Sequence, residues 1–157
     1  QSFHEAVSTL GAQFNLVCGK PSIHFYEGID GIKYLYKDIL RTGKDLRLIR
    51  TPLDNDHPEL NKLVLEQIKR QVERGIHTKA IVPMDMPHDE LISNRDKENL
   101  VTRKRVERKE MNIPAQVIIY GNKIAITSYK DCLITTIIED IGIRETFEII
   151  FDRLWSK

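Results

Sequence analysis

The chain has 157 residues, of which 41% are hydrophobic and 30% charged, and its formal net charge at pH 7 is +1. This size and composition fit one globular domain with a sizeable core, and they exclude a disordered or fibrous chain. A net charge near zero gives no overall attraction to nucleic acid or to an anionic membrane surface. The sequence shows no signal peptide and no apolar run long enough to cross a bilayer, so we expect a cytoplasmic protein without membrane contact.

The first half of the chain alternates predicted strands and helices. Residues 1–19 are weakly patterned, and we expect a lead-in segment or linker helix there, followed by a single α/β domain over residues 20–157. Strands are predicted at 22–27 (SIHFYE), 45–51 (DLRLIRT) and 75–83 (GIHTKAIVP). Between them lie two predicted helices that end at Gly43 and Gly75, the second with an apolar stripe of Leu60, Leu63, Val64, Ile68 and Val72. This order predicts right-handed βαβ units and a largely parallel core sheet.

The second half has the pattern of an antiparallel sheet. Residues 86–100 are polar and predict a loop with a short helical piece, and the basic run TRKRVERK that follows predicts an edge strand. The stretch VIIYGNKIAITS predicts a hairpin that turns at Gly121 and Asn122, and CLITTIIED predicts another strand. A final helix carries Ile143, Phe147, Ile150, Phe151, Leu154 and Trp155 on one stripe. The fold class predicted is α/β, with a mixed, partly parallel sheet and helices on both faces.

One stretch of the third strand comes close to a catalytic motif. In GIHTKAIVPMD, His77 and Lys79 are followed by five residues and then Asp85, whereas phosphodiesterases of the phospholipase D type have four residues at that point. The extra residue would place Asp85 on the other face of a strand, and Pro83 interrupts the ladder. The sequence also lacks a metal-binding HExxH, a phosphate-binding loop and a Gly-x-Ser-x-Gly elbow. We therefore expect no catalytic residues, no metal and no cofactor.

Four stretches together resemble a known family. FYEGIDGIKYLYKDIL, GIHTKAIVP, VIIYGNKIAITSYKD and the final helix ending in FDRLW are similar in order and spacing to the regulatory domain of TrmB-like transcriptional regulators. The resemblance implies half of a phospholipase D-like fold, preceded in the complete regulator by a winged-helix domain that binds DNA. The chain opens on Gln1 and shows no winged-helix pattern, so we expect a fragment that meets DNA only through a domain outside this sequence.

The resemblance also implies that the fold is retained without its chemistry. When the hairpin is set against the catalytic hairpin of phospholipase D-type enzymes, the motif positions hold Ile113, Ala115 and Tyr120. None of these side chains can act as the nucleophile, the phosphate clamp or the acid. We therefore expect a non-catalytic domain that senses an effector and forms a homodimer. The alternatives are a phosphodiesterase or nuclease of phospholipase D type, and a nucleic-acid-binding module that uses the basic run.

A ligand site is predicted where parallel strands end. Ligands of open α/β sheets collect beyond the carboxyl ends of the strands, and here those ends carry Glu27, Gly28, Arg50, Thr51 and Asp85. Gly28 would offer helix N–H groups and Arg50 a bidentate cation. These groups predict that the ligand is a small polar metabolite, and the Arg50 cation would also suit an anionic one. An ion pair of Arg50 with Glu27 or Asp85 would give the same residues a purely structural role.

Overall fold

The structure is a computed structural model that describes residues 21–84 and 95–157. The predicted lead-in segment, Asp85 and most of the predicted 86–100 loop lie outside the described residues. Within the described ranges the chain forms these strands and helices, in order: β1 (Ser22–Glu27), α1 (Gly28–Thr42), β2 (Leu46–Ile49), two short 3-10 helices (Pro52–Asp56 and Pro58–Leu60), α2 (Asn61–Glu73), β3 (Thr78–Pro83), β4 (Val101–Val106), β5 (Ala115–Tyr120), β6 (Lys123–Ser128), β7 (Ile134–Glu139) and α3 (Ile141–Ser156). Each predicted strand and helix of these ranges is present.

All seven described strands form one sheet in the order β1-β7-β6-β5-β2-β3-β4. Only β2 with β3 and β3 with β4 pair in parallel, and the remaining neighbours are antiparallel. The mixed, partly parallel sheet is therefore confirmed, whereas the expectation of a largely parallel core is wrong. The expectation fails because β1 pairs with β7, at the edge of the sheet opposite β4. The other neighbour of β2 is therefore β5, which is antiparallel to it.

The predicted hairpin and edge strand are confirmed. β5 and β6 pair from Ala115–Ser128 to Tyr120–Lys123, and Gly121 in the turn between them has a positive φ of 53°. Such a φ is reached without strain by glycine, which explains the turn residue. β4 carries the basic run and lies at one edge of the sheet.

The helices cover both faces of the sheet, as predicted. On one face α1 and α2 pack over a core that includes Leu35, Ile39 and Ile118. On the other face α3 packs over a core that includes Ile119, Ile124 and Phe151. Because successive strand residues point to opposite faces, Ile118 and Ile119 of β5 serve the two different cores.

Polar contacts fix the ends of the helices. Gly43 adopts a left-handed conformation (φ 66°) at the end of α1, and its N–H donates to the carbonyl of Ile39. Asp140 caps α3 by accepting from the N–H of Ile143. At the other end of α3, the Lys104 ammonium donates to the carbonyls of Leu154 and Trp155. A cation at the C-terminal end of a helix also interacts favourably with the helix dipole.

A buried carboxylate ties α1 to the β5–β6 hairpin. Asp38 is 3% exposed and accepts from the Tyr120 hydroxyl at 2.8 Å, the Lys123 ammonium at 2.9 Å and the Arg41 guanidinium at 2.8 Å. Burial acts to raise the pKa of Asp38, but the bonds from Lys123, Tyr120 and Arg41 together outweigh it and hold this pKa below its usual value. The ionised form of Asp38 therefore stabilises the fold.

None of the helices within the described ranges is both long and apolar enough to cross a membrane.

Candidate ligand-binding cleft

The predicted site residues that the structure describes lie along one edge of the sheet, which we call the upper edge. Strands β1, β2, β3, β4 and β6 end there, and β5 and β7 begin there. Glu27 ends β1, and Arg50 directly follows β2. Four strand spacings separate β1 from β2, or about 19 Å at about 4.8 Å each. The structure therefore does not bring Glu27 and Gly28 together with Arg50 and Thr51, and Asp85 lies outside the described residues. A ligand-binding role for each of these residues stays a prediction.

The helix N-terminus expected to face a ligand is already engaged at its first residue. The N–H of Gly28 donates to the carbonyl of Leu133 at 2.7 Å. Gly28 has a positive φ of 69°, which lets the chain turn from β1 directly into α1. The sequence-based picture of a free N–H at Gly28 is corrected accordingly.

Arg50 and Thr51 have partners that the sequence did not indicate. The Arg50 guanidinium bonds Asp54, through Nε to Oδ2 at 2.5 Å and Nη2 to Oδ1 at 3.3 Å, instead of pairing with Glu27. The buried Thr51 hydroxyl donates to the carbonyl of Ile113 at 2.7 Å. The Thr51 hydrogen bond therefore links the segment after β2 to the segment before β5. The two bonds to Asp54 fix the orientation of Arg50 at the upper edge.

A cleft of about 330 Å³ lies between α2 and the sheet, and Arg50 is one of its lining residues. Its floor is apolar and consists mainly of strand side chains such as Leu48, Ala80 and Ile118. Val64 and Ile68 of α2 form the opposite wall. This volume falls in the range of small-molecule sites. Half of the lining residues are polar, charged or tyrosine, so the cleft combines an apolar floor with many polar groups.

Gln116 is a polar group of this cleft whose amide forms no hydrogen bond with the described residues. Its side chain is 7% exposed and lines the cleft, and none of the hydrogen bonds found among the described residues uses its amide. The register that pairs Ile49 with Val117 puts Gln116 beside Arg50. Arg47 Nε, and not the Gln116 amide, is the fully buried side-chain atom without a hydrogen-bond partner in the described chain, so the Gln116 amide is accessible from the cleft. Gln116 therefore offers one donor group and one acceptor to a molecule in the cleft.

Gln116 continues into a row of polar side chains across the sheet. Its cross-strand neighbour on β6 is Thr127, which in turn lies opposite Thr135 of β7. Both threonines are buried, and their hydroxyl oxygens are 3.1 Å apart. With Arg50, which directly follows β2, the row extends across β5, β6 and β7 on the face that α1 and α2 cover. Sequence reasoning missed it, although polar residues at inward positions of apolar strands were the available signal.

The α2 wall of the cleft carries a second chain of hydrogen bonds. The Gln67 amide donates to the Tyr36 carbonyl at 3.2 Å and to the Gln71 side chain at 2.9 Å, and Gln71 reaches the Thr78 hydroxyl at 3.5 Å. Both glutamines are buried. The predicted stripe of α2 is thus only partly right, because Gln67 and Gln71 take the most buried positions of the helix. Within this chain the amides satisfy each other, in contrast to Gln116.

The charged and phenolic groups of the cleft favour a neutral ligand. Arg103 is bonded through Nε and Nη2 to the Asp96 carboxylate at 2.9 and 2.8 Å, as Arg50 is to Asp54, so each guanidinium has its own counter-charge. Burial raises the pKa of the Tyr36 phenol to about 12, and it also raises the pKa of Tyr129. Both phenols therefore stay neutral at physiological pH.

The near-motif of the third strand lies away from this cleft. The backbone N–H of His77 donates to the Asp45 carboxylate at 2.9 Å just before β3 begins, at the edge opposite the upper edge. Lys79 is on the α3 face of the sheet, with its ammonium 5.6 Å from the Trp155 ring centroid. The structure thus gives His77 and Lys79 separate partners and does not direct them at the cleft.

The positions of the phospholipase D-type motif on the hairpin hold Ile113, Ala115 and Tyr120 in place of histidine, lysine and aspartate. Ala115 begins β5 at the upper edge, two residues after Ile113. Tyr120 is at the other end of β5, buried, with its hydroxyl on Asp38. Among residues 21–84 and 95–157, no cluster of three or more His, Cys, Asp and Glu side chains has an arrangement that could hold a metal ion.

Comparison with known proteins gives structural neighbours only. No protein-family model and no curated protein matches the sequence. The solved structure of TrmBL2, an archaeal chromatin protein whose structure shows a novel mode of DNA binding, is similar with a TM-score of 0.64 at 16% identity over 98% of this chain and 58% of that chain. NucT from Helicobacter pylori is similar with a TM-score of 0.62 at 9% identity, over 87% of this chain and 96% of that chain.

A third neighbour is the polyphosphate kinase from Porphyromonas gingivalis, with a TM-score of 0.57 at 11% identity over 96% of this chain and 27% of that chain. The chain thus spans less than two thirds of TrmBL2 and about a quarter of the kinase. At such identities the likeness concerns the fold, which is the predicted α/β fold of phospholipase D type.

Proposed function

We propose that the chain is an effector-sensing and dimerising domain of a TrmB-like transcriptional regulator, and that it is not an enzyme. The structural likeness to TrmBL2 over 98% of the chain supports the regulator class. In this proposal DNA is bound by a winged-helix domain outside the sequence, and the present domain responds to a small molecule.

The observation that carries the sensing role is the unpartnered Gln116 amide in a cleft of about 330 Å³. An amide that faces a cleft without a protein partner is free to bond a ligand there, which is typical of a binding site. Arg50 and Asp54 stand beside it at the upper edge, already bonded to each other. They offer donors and acceptors of fixed direction for the polar end of a ligand.

The ligand that fits this cleft is a neutral polar molecule with an apolar body. The strand floor and the α2 wall would contact its apolar part, and Gln116 would bond its polar part. A net anionic ligand is less suited, because Asp54 and Asp96 already neutralise both guanidinium groups. Among the small polar metabolites that the sequence predicts, the proposed ligand is therefore a neutral one.

The absence of catalysis is supported by the motif positions on the hairpin. Ile113 and Ala115 have no nucleophilic or phosphate-binding group, and the Ile113 carbonyl is bonded to Thr51. The Tyr120 phenol is buried and donates to Asp38, and burial raises its pKa, which opposes a role as nucleophile or acid. A phosphodiesterase or nuclease of phospholipase D type is the alternative function. The fold likeness to NucT and to polyphosphate kinase favours it, whereas these three side chains oppose it.

Thermal-shift screening tests the sensing role. A panel of nucleosides, sugars and amino acids is screened against the wild type, Arg50→Ala and the matched control Lys69→Ala, which changes an exposed cation on α2. We expect a compound that stabilises the wild type and the control but stabilises Arg50→Ala less. A compound that stabilises all three equally and maps outside the cleft would refute the cleft as the sensing site.

The regulator class has its own test. We expect the coding sequence upstream of Gln1 in the parent gene to encode a winged helix. An upstream sequence that encodes a catalytic domain instead would contradict the regulator class and leave the cleft result unaffected.

A further inference from the structure

The outward face of α3 has more apolar surface than a solvent-exposed helix needs. Four of the large hydrophobic side chains that the described chain exposes are isoleucines of this helix, with Ile149 70% and Ile150 47% exposed. Phe147, Phe151, Leu154 and Trp155 of the predicted stripe pack on the sheet. The prediction is wrong for Ile143 and Ile150, which are exposed instead. The outward isoleucines therefore lie outside the core, and the strongly exposed Ile149 and Ile150 are candidates for a contact surface.

Two charged residues flank this apolar centre at equal distances. Glu145 and Arg153 are both exposed, and each is four residues from Ile149. Neither forms an ion pair within the described part of the chain. The other charges of the helix behave differently, since Glu148 pairs with both Arg144 and Arg47. Glu145 and Arg153 thus remain available for a partner.

Their spacing makes the face complementary to itself. If two copies of α3 run antiparallel about a two-fold axis at Ile149, a residue four positions before Ile149 faces the residue four positions after it in the second copy. Glu145 of each copy then meets Arg153 of the other, and the two Ile149 side chains meet at the axis. Residues 145, 149 and 153 also form one i, i+4 ridge, the feature through which helices commonly pack.

We infer that α3 is a homodimer interface in which a second copy of this chain packs antiparallel on Ile149 and Ile150, with two reciprocal Glu145–Arg153 ion pairs. This inference rests on the dimerisation included in the proposed function and names the surface that performs it. Such two-fold self-complementarity is the condition for a closed dimer. A helix of 16 residues is only about 24 Å long, so the dimer dissociates on dilution.

Charge reversal tests this interface by sedimentation velocity over a wide range of concentrations. Glu145→Arg places two pairs of arginines opposite each other, and Arg153→Glu places two pairs of glutamates. We expect each single variant to raise the dimer dissociation constant about tenfold or more, since like charges then face each other at both ends of the interface. The double variant restores opposite pairs and returns the constant to within about threefold of the wild type.

Glu66→Arg is the matched control, because it makes the same change in charge on the exposed face of α2. It is expected to leave dimerisation unchanged, and circular dichroism with the melting temperature shows that all variants fold. A dimer that none of the α3 variants weakens would overturn this interface but leave dimerisation intact. A monomer at every concentration would overturn dimerisation itself, while the thermal-shift result would still stand.

Discussion

Replacing Gln116 by leucine is expected to stabilise the ligand-free protein. The two side chains are similar in size, and the position is 7% exposed, so leucine keeps the packing and removes an amide that has no hydrogen-bond partner among the described residues. A fully buried unsatisfied amide costs about 1–3 kcal/mol, and the cost is at the low end of this range for Gln116, whose amide is accessible from the cleft. We therefore expect a gain of about 1 kcal/mol in the free energy of unfolding, or about 2–4 °C in melting temperature for a chain of this size.

The same substitution at Gln67 is the matched control and has the opposite sign. Gln67 is equally buried at 6% exposure, but its amide donates to the Tyr36 carbonyl and the Gln71 side chain. Gln67→Leu leaves both acceptors without this donor and is expected to cost about 1–2 kcal/mol. Urea denaturation of both variants gives the two free energies.

Gln116→Leu is expected to stabilise the free protein but to weaken ligand binding. A compound from the panel that stabilises the wild type is expected to bind Gln116→Leu about 2- to 12-fold more weakly, which corresponds to one lost hydrogen bond. If Gln116→Leu destabilises the free protein as much as Gln67→Leu does, the Gln116 amide has a structural partner and the reasoning for the cleft fails.

Three further predictions concern stability, DNA and catalysis. Asp38→Ala is expected to cost about 3 kcal/mol, because it leaves the Lys123 ammonium and the Tyr120 hydroxyl without their buried acceptor, whereas the exposed Asp131→Ala costs less than about 0.5 kcal/mol. The pKa of Asp38 is lowered in the folded protein. The stability lost in Asp38→Ala is therefore greatest above the unfolded pKa of about 3.9 and disappears as pH falls through the folded pKa. Denaturation of both proteins at several pH values measures this loss. The isolated chain is expected to bind duplex DNA only weakly at physiological salt, because Arg103 is bonded to Asp96 and Lys104 to the end of α3; sub-micromolar binding lost when Arg103, Lys104 and Arg105 are neutralised would contradict this. Bis-p-nitrophenyl phosphate is expected to remain intact with the wild type and with His77→Ala alike, and turnover that His77→Ala abolishes would show an enzyme.

The local structure was largely predictable from the sequence. The run SIHFYE predicted β1 with its observed bounds, and Gly121-Asn122 between two apolar runs predicted the hairpin turn. The stop of α1 at Gly43 follows from the left-handed conformation that glycine adopts there. These features depend on residues close together in the chain, so local pattern suffices.

The position of β1 was not predictable in this way. Its pairing with β7 joins residues more than a hundred positions apart, for example Ser22 with Glu139. The βαβ rule favours neighbouring parallel strands and therefore misplaced β1 beside β2. That error also placed Glu27 and Gly28 in the same predicted site as Arg50.

The polar residues of the cleft were not predicted from the sequence for a different reason. Gln116 shares a face of β5 with Ile118 and Tyr120, and the sequence alone does not say which face of the sheet α2 covers. Gln67 and Gln71 interrupt the apolar stripe of α2. A search for polar residues at inward positions would have singled out these three glutamines.

Chemical-shift mapping of a stabilising compound from the panel tests effector binding in the cleft most directly. The side-chain amide of Gln116 gives its own signals in a nitrogen–proton spectrum, and the methyl groups of Leu48, Val64 and Ile118 report on the floor and the α2 wall. During titration we expect these signals to shift together with one dissociation constant, while the amide of His77 at the opposite edge remains unchanged. Shifts that centre on His77 or on α3 and leave the Gln116 amide unmoved would contradict the proposed sensing site.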